Sequence, residues 1–311
     1  MVAAPEPLIR KAIDVHGEAG RAWADCLPAT LAECCERWSL AIARPFPNLS
    51  YNYATPATRA DGTAVVLKLC FPDQAFVWEA EALRIFDGRG AVRLLEADAA
   101  RGVMLLERLA PGTPLRAMQD DEQATSIAAT VMRQLWRPMP PDLDLDIDLD
   151  HPFPTIADWA KGIDRYQARF HDAPGPIPAA LANEAARLFA ELLASQADPV
   201  LLHGDLHHDN ILRAHRQPWL AIDPKGLIGE PAYETGALLR NPEELFTMPQ
   251  PVRILARRIA QLADELDLDR ARIRGWAIAQ AVLSCVWSVE DHEQISPHWI
   301  AIAEWLAQTK I

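Results

Sequence analysis

The sequence predicts an α+β protein in two parts, a small β-containing N-terminal lobe and a larger, mainly helical C-terminal lobe. Three observations carry this. Aromatic and Thr-rich Tyr51 to Thr58, the tight-turn pair Asp61-Gly62 and apolar Thr63-Ala64-Val65-Val66-Leu67-Lys68-Leu69 read as a β-hairpin. Beyond Pro111-Gly112, strand signals thin out and apolar residues recur at helical spacing in one segment after another. The 311 residues suit one large or two moderate domains. The boundary is expected near Leu109 to Thr113, giving parts 1–109 and 110–311.

The first forty residues read as helices. Leu8, Ile9, Ala12, Ile13 and Val15 form one apolar stripe, Gly17 and Gly20 punctuate, and a second stripe runs through Trp23, Leu27, Leu31, Cys34, Cys35 and Trp38. The hairpin places Lys68 near the end of its second strand. A helix follows from Gln74 to Phe86, ended by Asp87-Gly88-Arg89-Gly90, and Val103 to Glu107 reads as a strand. Helices are then expected over Gln123–Trp136, Ile156–Phe170, Ala179–Ser195, Val252–Leu266, Ala271–Val289 and Trp299–Ala307. Between flanking prolines, Asp142 to Asp150 alternates Asp with apolar residues. In an extended conformation this puts five carboxylates on one face, as a solvated loop or an acidic rim for a cation.

Half the residues are hydrophobic and 23% charged, a balance that fills a buried core and excludes a disordered or coiled-coil chain. The 43 acids against 30 bases give a net charge of −13, which disfavours nucleic acid and anionic membranes and suits a cationic small molecule. Cys26, Cys34, Cys35, Cys70 and Cys285 include no CxxC pair and are odd in number, so reduced thiols are expected rather than a disulfide framework or a cysteine zinc site. No basic region followed by an apolar run marks a signal peptide, and the apolar stretch Trp276–Trp287 is broken by Gln280 and Ser284. A cytoplasmic protein without membrane contact is the expectation; no pattern encodes its oligomeric state.

The chemistry concentrates in His203-Gly204-Asp205-Leu206-His207-His208-Asp209-Asn210, followed by apolar Trp219 to Ile222 and Asp223. Asp205 precedes Asn210 by five positions, the spacing of a kinase catalytic loop, and Asp223 ends a strand where a kinase holds a metal-binding Asp. A transferring phosphoryl group needs its charge neutralised and a hydroxyl held in line. Asn210 and Asp223 offer hard oxygen ligands suited to Mg²⁺, and Asp205 has a carboxylate to accept the hydroxyl's hydrogen bond. Lys68 is placed to reach ATP phosphates, with Glu79 on the following helix as its partner and Glu81 as the rival. Leu106, Glu107 and Leu109 read as an adenine-binding hinge, or simply as a strand end. A hydrolytic metal centre built from His203, His207, His208, Asp205 and Asp209 is a further reading, although it leaves the Asn210 and Asp223 spacing unexplained.

Taken together, Gly17-Glu18-Ala19-Gly20 with Trp23, Arg59 to Thr63, Val66 to Leu69, Glu79 to Arg84, Gly88 to Leu95, Leu105 to Leu109, His203 to Leu212 and the long run Ala221 to Glu234 resemble the aminoglycoside phosphotransferase superfamily, of protein-kinase-like bilobal fold. The Asp223-Pro224-Lys225-Gly226 stretch through Arg240-Asn241-Pro242 is similar to its streptomycin 6-phosphotransferase and hydroxyurea phosphotransferase branch. The resemblance implies ATP- and Mg²⁺-dependent phosphorylation of a small-molecule hydroxyl, with an antibiotic-resistance role. Asp205 would be the base, Asn210 and Asp223 the metal ligands, Lys68 a phosphate ligand, and Glu230 and Glu234 the carboxylates facing substrate amines or guanidiniums. The nucleotide loop Pro47 to Asn52 departs from the pattern: it has no glycine, leaving the Ser50 hydroxyl as a donor. His207, two residues after Asp205, is read as a γ-phosphate ligand or as a shaper of the loop. A metabolic kinase of the same fold and a non-catalytic nucleotide-binding relative are the competing functional readings.

Overall fold

The computed structural model describes residues 5–47, 49–138, 153–171, 174–292, 295 and 297–310, so the acidic segment 142–150 and Asn48 of the nucleotide loop lie outside the described residues. The chain divides into two compact units, Met1–Gly112 and Thr113–Ile311.

In the first unit, α1 (Glu6–Arg37) is interrupted at Gly17, whose φ of 59° and ψ of −133° are non-helical. At Gly20 an added Cβ would lie 1.9 Å from the Ala12 carbonyl oxygen, so the two halves approach as only glycine allows. This accounts for the two apolar stripes. Then come β1 (Leu40–Ile42), β2 (Tyr53–Arg59), β3 (Ala64–Leu69), α2 (Gln74–Phe86), β4 (Leu94–Asp98) and β5 (Val103–Glu107). The strands form an antiparallel sheet in the order β1-β2-β3-β5-β4. Leu67 and Leu69 of β3 join Leu8, Leu27, Leu31, Tyr53 and Leu105 in one core. Helix α2 starts where Asp73 accepts the Phe76 N–H at 3.2 Å and stops at left-handed Asp87. Strand β4 was not expected: its burial does not alternate, and its register slips between Leu94 and Glu96.

A short strand, β6 (Pro111–Pro114), follows in the chain. The second unit continues with α3 (Asp121–Leu135), β7 (Arg137–Pro138), α4 (Ile156–Arg169), α5 (Ala179–Ala194), β8 (Val200–Leu202), β9 (Ile211–Ala214), β10 (Trp219–Ala221) and β11 (Leu227–Gly229). It closes with α6 (Pro231–Leu239), α7 (Pro251–Leu266), α8 (Arg270–His292) and α9 (Pro297–Gln308). Helix α8 is the central rod, packed against α4, α5, α6, α7 and α9. Strands β8 and β11 pair antiparallel, as do β9 and β10, and these two ladders bracket the segment 203–210. Helix α6 was not expected, because every residue after Pro231 is buried and no polar face marks it.

One ion pair ties this unit together. The Arg258 guanidinium, fully buried, donates Nη2 to Asp121 Oδ1 at 2.5 Å, Nε to Oδ2 at 3.1 Å and Nη1 to the Asn241 carbonyl at 2.6 Å. It thereby joins α7 to the start of α3 and to the segment after α6. All the cysteines are free thiols, and burial pushes Cys34 up to about 11 and Cys285 up to about 12, away from thiolate chemistry. Among the described residues no helix is long and apolar enough to cross a membrane.

Candidate active site

In the first unit, alternation along β3 turns Leu67 and Leu69 into the core and Lys68 to the other face, where it is 3% exposed. Its Nζ donates to Glu79 Oε1 of α2 at 2.5 Å. Glu81, the rival partner, is buried elsewhere and pairs with Arg84. Leu106 is buried at the end of β5; Glu107, half-buried, donates its N–H to the Arg93 carbonyl at 3.0 Å, and Leu109 is partly exposed. Ser50 is exposed in the glycine-free loop between β1 and β2.

In the second unit, His203 to Asn210 is a loop whose shape is set by its own hydrogen bonds. Buried His203 accepts the Asp205 N–H on Nδ1 at 3.2 Å, so the ring proton sits on Nε2 and is donated to the Ile222 carbonyl at 2.8 Å. The Lys225 N–H returns to the His203 carbonyl at 2.7 Å, and the Ile222 N–H to the Asn210 carbonyl at 2.9 Å. That last bond sets Asp223 beside Asn210. Asp223 has a left-handed backbone, φ 61°, which turns the chain out of β10. Asn210 uses its amide nitrogen on the Asp205 carbonyl at 3.0 Å, which leaves its side-chain oxygen as the metal-type donor. Two hard oxygens, one of them charged, fit Mg²⁺. His207 accepts the Asp209 N–H at 3.3 Å and lies 3.3 Å from the Asn210 amide, contacts that shape the loop. Gly204, at φ 83°, passes so close to Trp159 that an added Cβ would lie 3.2 Å from its ring.

Glu230 and Glu234 correct the expectation of carboxylates facing a substrate. Both are 1% exposed. Glu230 takes the Ala197 N–H at 3.0 Å and the Arg272 Nε at 2.6 and 2.8 Å, and also the Trp276 indole N–H. Glu234 accepts the His203 N–H at 2.7 Å and the Gly204 N–H at 2.9 Å, one on each oxygen, and so anchors the loop from below. The physical reason is burial at both positions: Glu230 stands just before α6, where Arg272 and Trp276 of α8 close over it, and Glu234 lies within a helix that is buried all round. Sequence reasoning also missed Arg240, at the end of α6, whose Nη2 donates to Asp205 Oδ1 at 3.0 Å. The Arg240-Asn241-Pro242 run was the available signal, but without a role.

The titration of this loop has a definite sign. Burial pushes His203 down to about 4 and His208 down to about 3, the latter helped by Arg258, and neither ring nitrogen of His208 has a hydrogen-bond partner among the described residues. Burial, with Asp205 nearby, pushes Glu234 the other way, up to about 7. For the imidazoles the unfolded chain binds protons that the fold refuses, so their stabilisation is present above pH 6.5 and is lost as pH falls toward 4. For Glu234 the stabilisation is present below pH 4.5 and is lost as pH rises through 7. His207 is pushed down by burial as well, so three imidazoles oppose one carboxyl. Where the two ranges overlap, between pH 6.5 and 4.5, acidification is expected to destabilise the fold. Urea unfolding of the whole chain across this range checks it, and a stability that rises on acidification contradicts it.

Among the described residues no three His, Cys, Asp or Glu side chains converge as metal ligands, and both ring nitrogens of His203 are committed to the Asp205 N–H and the Ile222 carbonyl. Comparison with known proteins gives a consistent result. Residues 47–292 match the model of the aminoglycoside/hydroxyurea antibiotic resistance kinase family. The chain is 35% identical to the streptomycin 6-kinase of Streptomyces griseus over 94% of its own length and 93% of that protein's. It is 36% identical to the hydroxyurea phosphotransferase of Kitasatospora aureofaciens, over 98% and 86% of the two chains. A choline/ethanolamine kinase family protein from Mesorhizobium loti shares the fold at a TM-score of 0.65, with 15% identity over 92% of this chain and 95% of that one. This is the α+β, protein-kinase-like fold that the sequence predicts. With that fold and a match over most of its length, the chain belongs to the aminoglycoside/hydroxyurea antibiotic resistance kinase family and is a phosphotransferase.

Proposed function

We propose that this protein transfers the γ-phosphoryl group of ATP to a hydroxyl of a small cationic antibiotic of the streptomycin type, or to hydroxyurea, and so confers resistance. The observation that carries the reading is the loop at Asp205, whose backbone is pinned by His203 and Glu234 while its carboxylate stays 27% exposed. Asp205 accepts the hydrogen bond of the acceptor hydroxyl and orients its oxygen toward phosphorus. Lys68, steadied by Glu79, binds ATP phosphates, and the end of β5 at Leu106, Glu107 and Leu109 serves the adenine. Ser50 and the backbone amides around it cover the phosphates. Asn210 and Asp223 would hold Mg²⁺, which supplies neutralising charge to the phosphate oxygens when bound. The net charge of −13 favours a cationic acceptor, and the names of the two relatives supply the candidate compounds.

The test is coupled ADP release with MgATP and streptomycin, hydroxyurea or other aminoglycosides, with Asp205→Ala as the blank. Release stimulated by streptomycin and absent from the blank, with a phosphorylated product by mass spectrometry, is the expected result. Stimulation by hydroxyurea alone selects the second acceptor. No stimulation by any of these compounds overturns the assignment to resistance and turns the search to metabolites carrying an amine and a hydroxyl.

A further inference from the structure

The phosphotransfer chemistry above makes no use of one buried cation. Arg240, 8% exposed, lies directly behind the Asp205 carboxylate. Its Nη2 donates to Asp205 Oδ1 at 3.0 Å while Nη1 donates to the side-chain oxygen of Gln280 on α8. Gln280 reaches that position because residue 236 is glycine: a Cβ there would lie 2.4 Å from its Oε1. The guanidinium is therefore gripped between the end of α6 and α8, and its planar fork carries that grip to one oxygen of Asp205. The other oxygen, Oδ2, has His207 Nε2 at 3.8 Å, beyond hydrogen-bond length. The two oxygens of Asp205 are thus inequivalent.

We propose that Arg240 is a positioning residue for phosphoryl transfer: by occupying Oδ1 it fixes the carboxylate plane and leaves Oδ2 as the oxygen that receives the acceptor's proton. The inference rests on the reading of Asp205 given above. As the acceptor oxygen bonds to phosphorus, the bond from phosphorus to the oxygen bridging it to ADP breaks and its electron pair leaves with ADP. The hydroxyl proton passes to Oδ2 and from there to solvent. A carboxylate free to rotate presents either oxygen at a variable distance, and misplacement by about 1 Å costs on the order of 10²-fold in rate. Gln280 and Gly236 belong to the same device, because they set where the guanidinium stands.

The test compares Arg240→Ala, Arg240→Lys, Gln280→Ala and Asp205→Asn in ADP release from MgATP, both with streptomycin or hydroxyurea as acceptor and without, where water takes the acceptor's place. Arg240→Ala is expected to lower kcat by about 10²-fold, with the KM for ATP close to that of the unaltered protein. Free guanidinium at sub-denaturing millimolar concentration should restore part of that loss, and ammonium should not. Arg240→Lys should stay impaired, because a point charge cannot span both Gln280 and Asp205. Gln280→Ala keeps the charge and releases the grip. It should lower kcat by about tenfold at constant KM, and it carries the test if Arg240→Ala does not fold. A folded Arg240→Ala with full turnover, or a loss that follows melting temperature and ignores guanidinium, overturns the inference. Full turnover in Asp205→Asn instead removes the reading of the site beneath it.

Discussion

Replacing Asp205 by Asn is expected to lower kcat by roughly 10²–10⁴-fold while leaving ATP binding and thermal stability close to those of the unaltered protein. Asn keeps the shape and retains an oxygen for Arg240, but where the carboxylate accepts the acceptor's proton it presents either a neutral oxygen or an amide N–H. Stability should hold because the loop is fixed by main-chain bonds: Asp205 N–H to His203, Lys225 N–H to the His203 carbonyl, and the His203 and Gly204 N–H groups to Glu234. The carboxylate itself is partly exposed. ADP release and a thermal melt of the same preparation decide the matter. Turnover close to that of the unaltered protein would strip Asp205 of its role, and a lowered melting temperature would show that the loop depends on the side chain.

Replacing Arg258 by Ala is expected to have the largest effect on folding, a loss of about 3–5 kcal/mol. The guanidinium has no contact with solvent, so its removal opens a void between α7, the start of α3 and the segment after α6. It also leaves Asp121 with Arg257 as its remaining basic partner and takes a donor from the Asn241 carbonyl. Urea unfolding of the full chain measures the loss. In the cycle with Asp121→Ala, the double variant should lose less than the sum of the two single ones, since either single change already removes the hydrogen bonds the pair shares. A loss below about 1 kcal/mol would show that the pair is dispensable, as an exposed ion pair is.

What the sequence discloses about this fold depends on how local the cause is. Helix α2 and strand β5 were legible to the residue, because Asp73 caps the one, Asp87-Gly88 turns out of it, and the other is a plain apolar run. Lys68 and Glu79 were legible because a strand followed by a helix leaves few arrangements. Helix α6 was not, because a segment buried on every side carries no periodicity. The misreading of Glu230 and Glu234 has the same origin: charge is visible in a sequence and burial is not, so two acids that hold Arg272 and the loop amides read as surface groups. Arg240 escaped notice because its partners stand 35 and 40 positions away, Asp205 on a loop and Gln280 on a helix whose approach depends on a glycine in a third element.

Glu234 takes both of the amides that precede Asp205 and titrates near neutral pH. The ¹⁵N–¹H signals of His203 and Gly204 should therefore exchange slowly with deuterium and shift together as pH passes through neutrality, before any nucleotide or antibiotic is added. The loop before Asp205 carries its own spectroscopic label, a pair of main-chain resonances that report whether it is seated, independently of turnover and of which compound proves to be the acceptor.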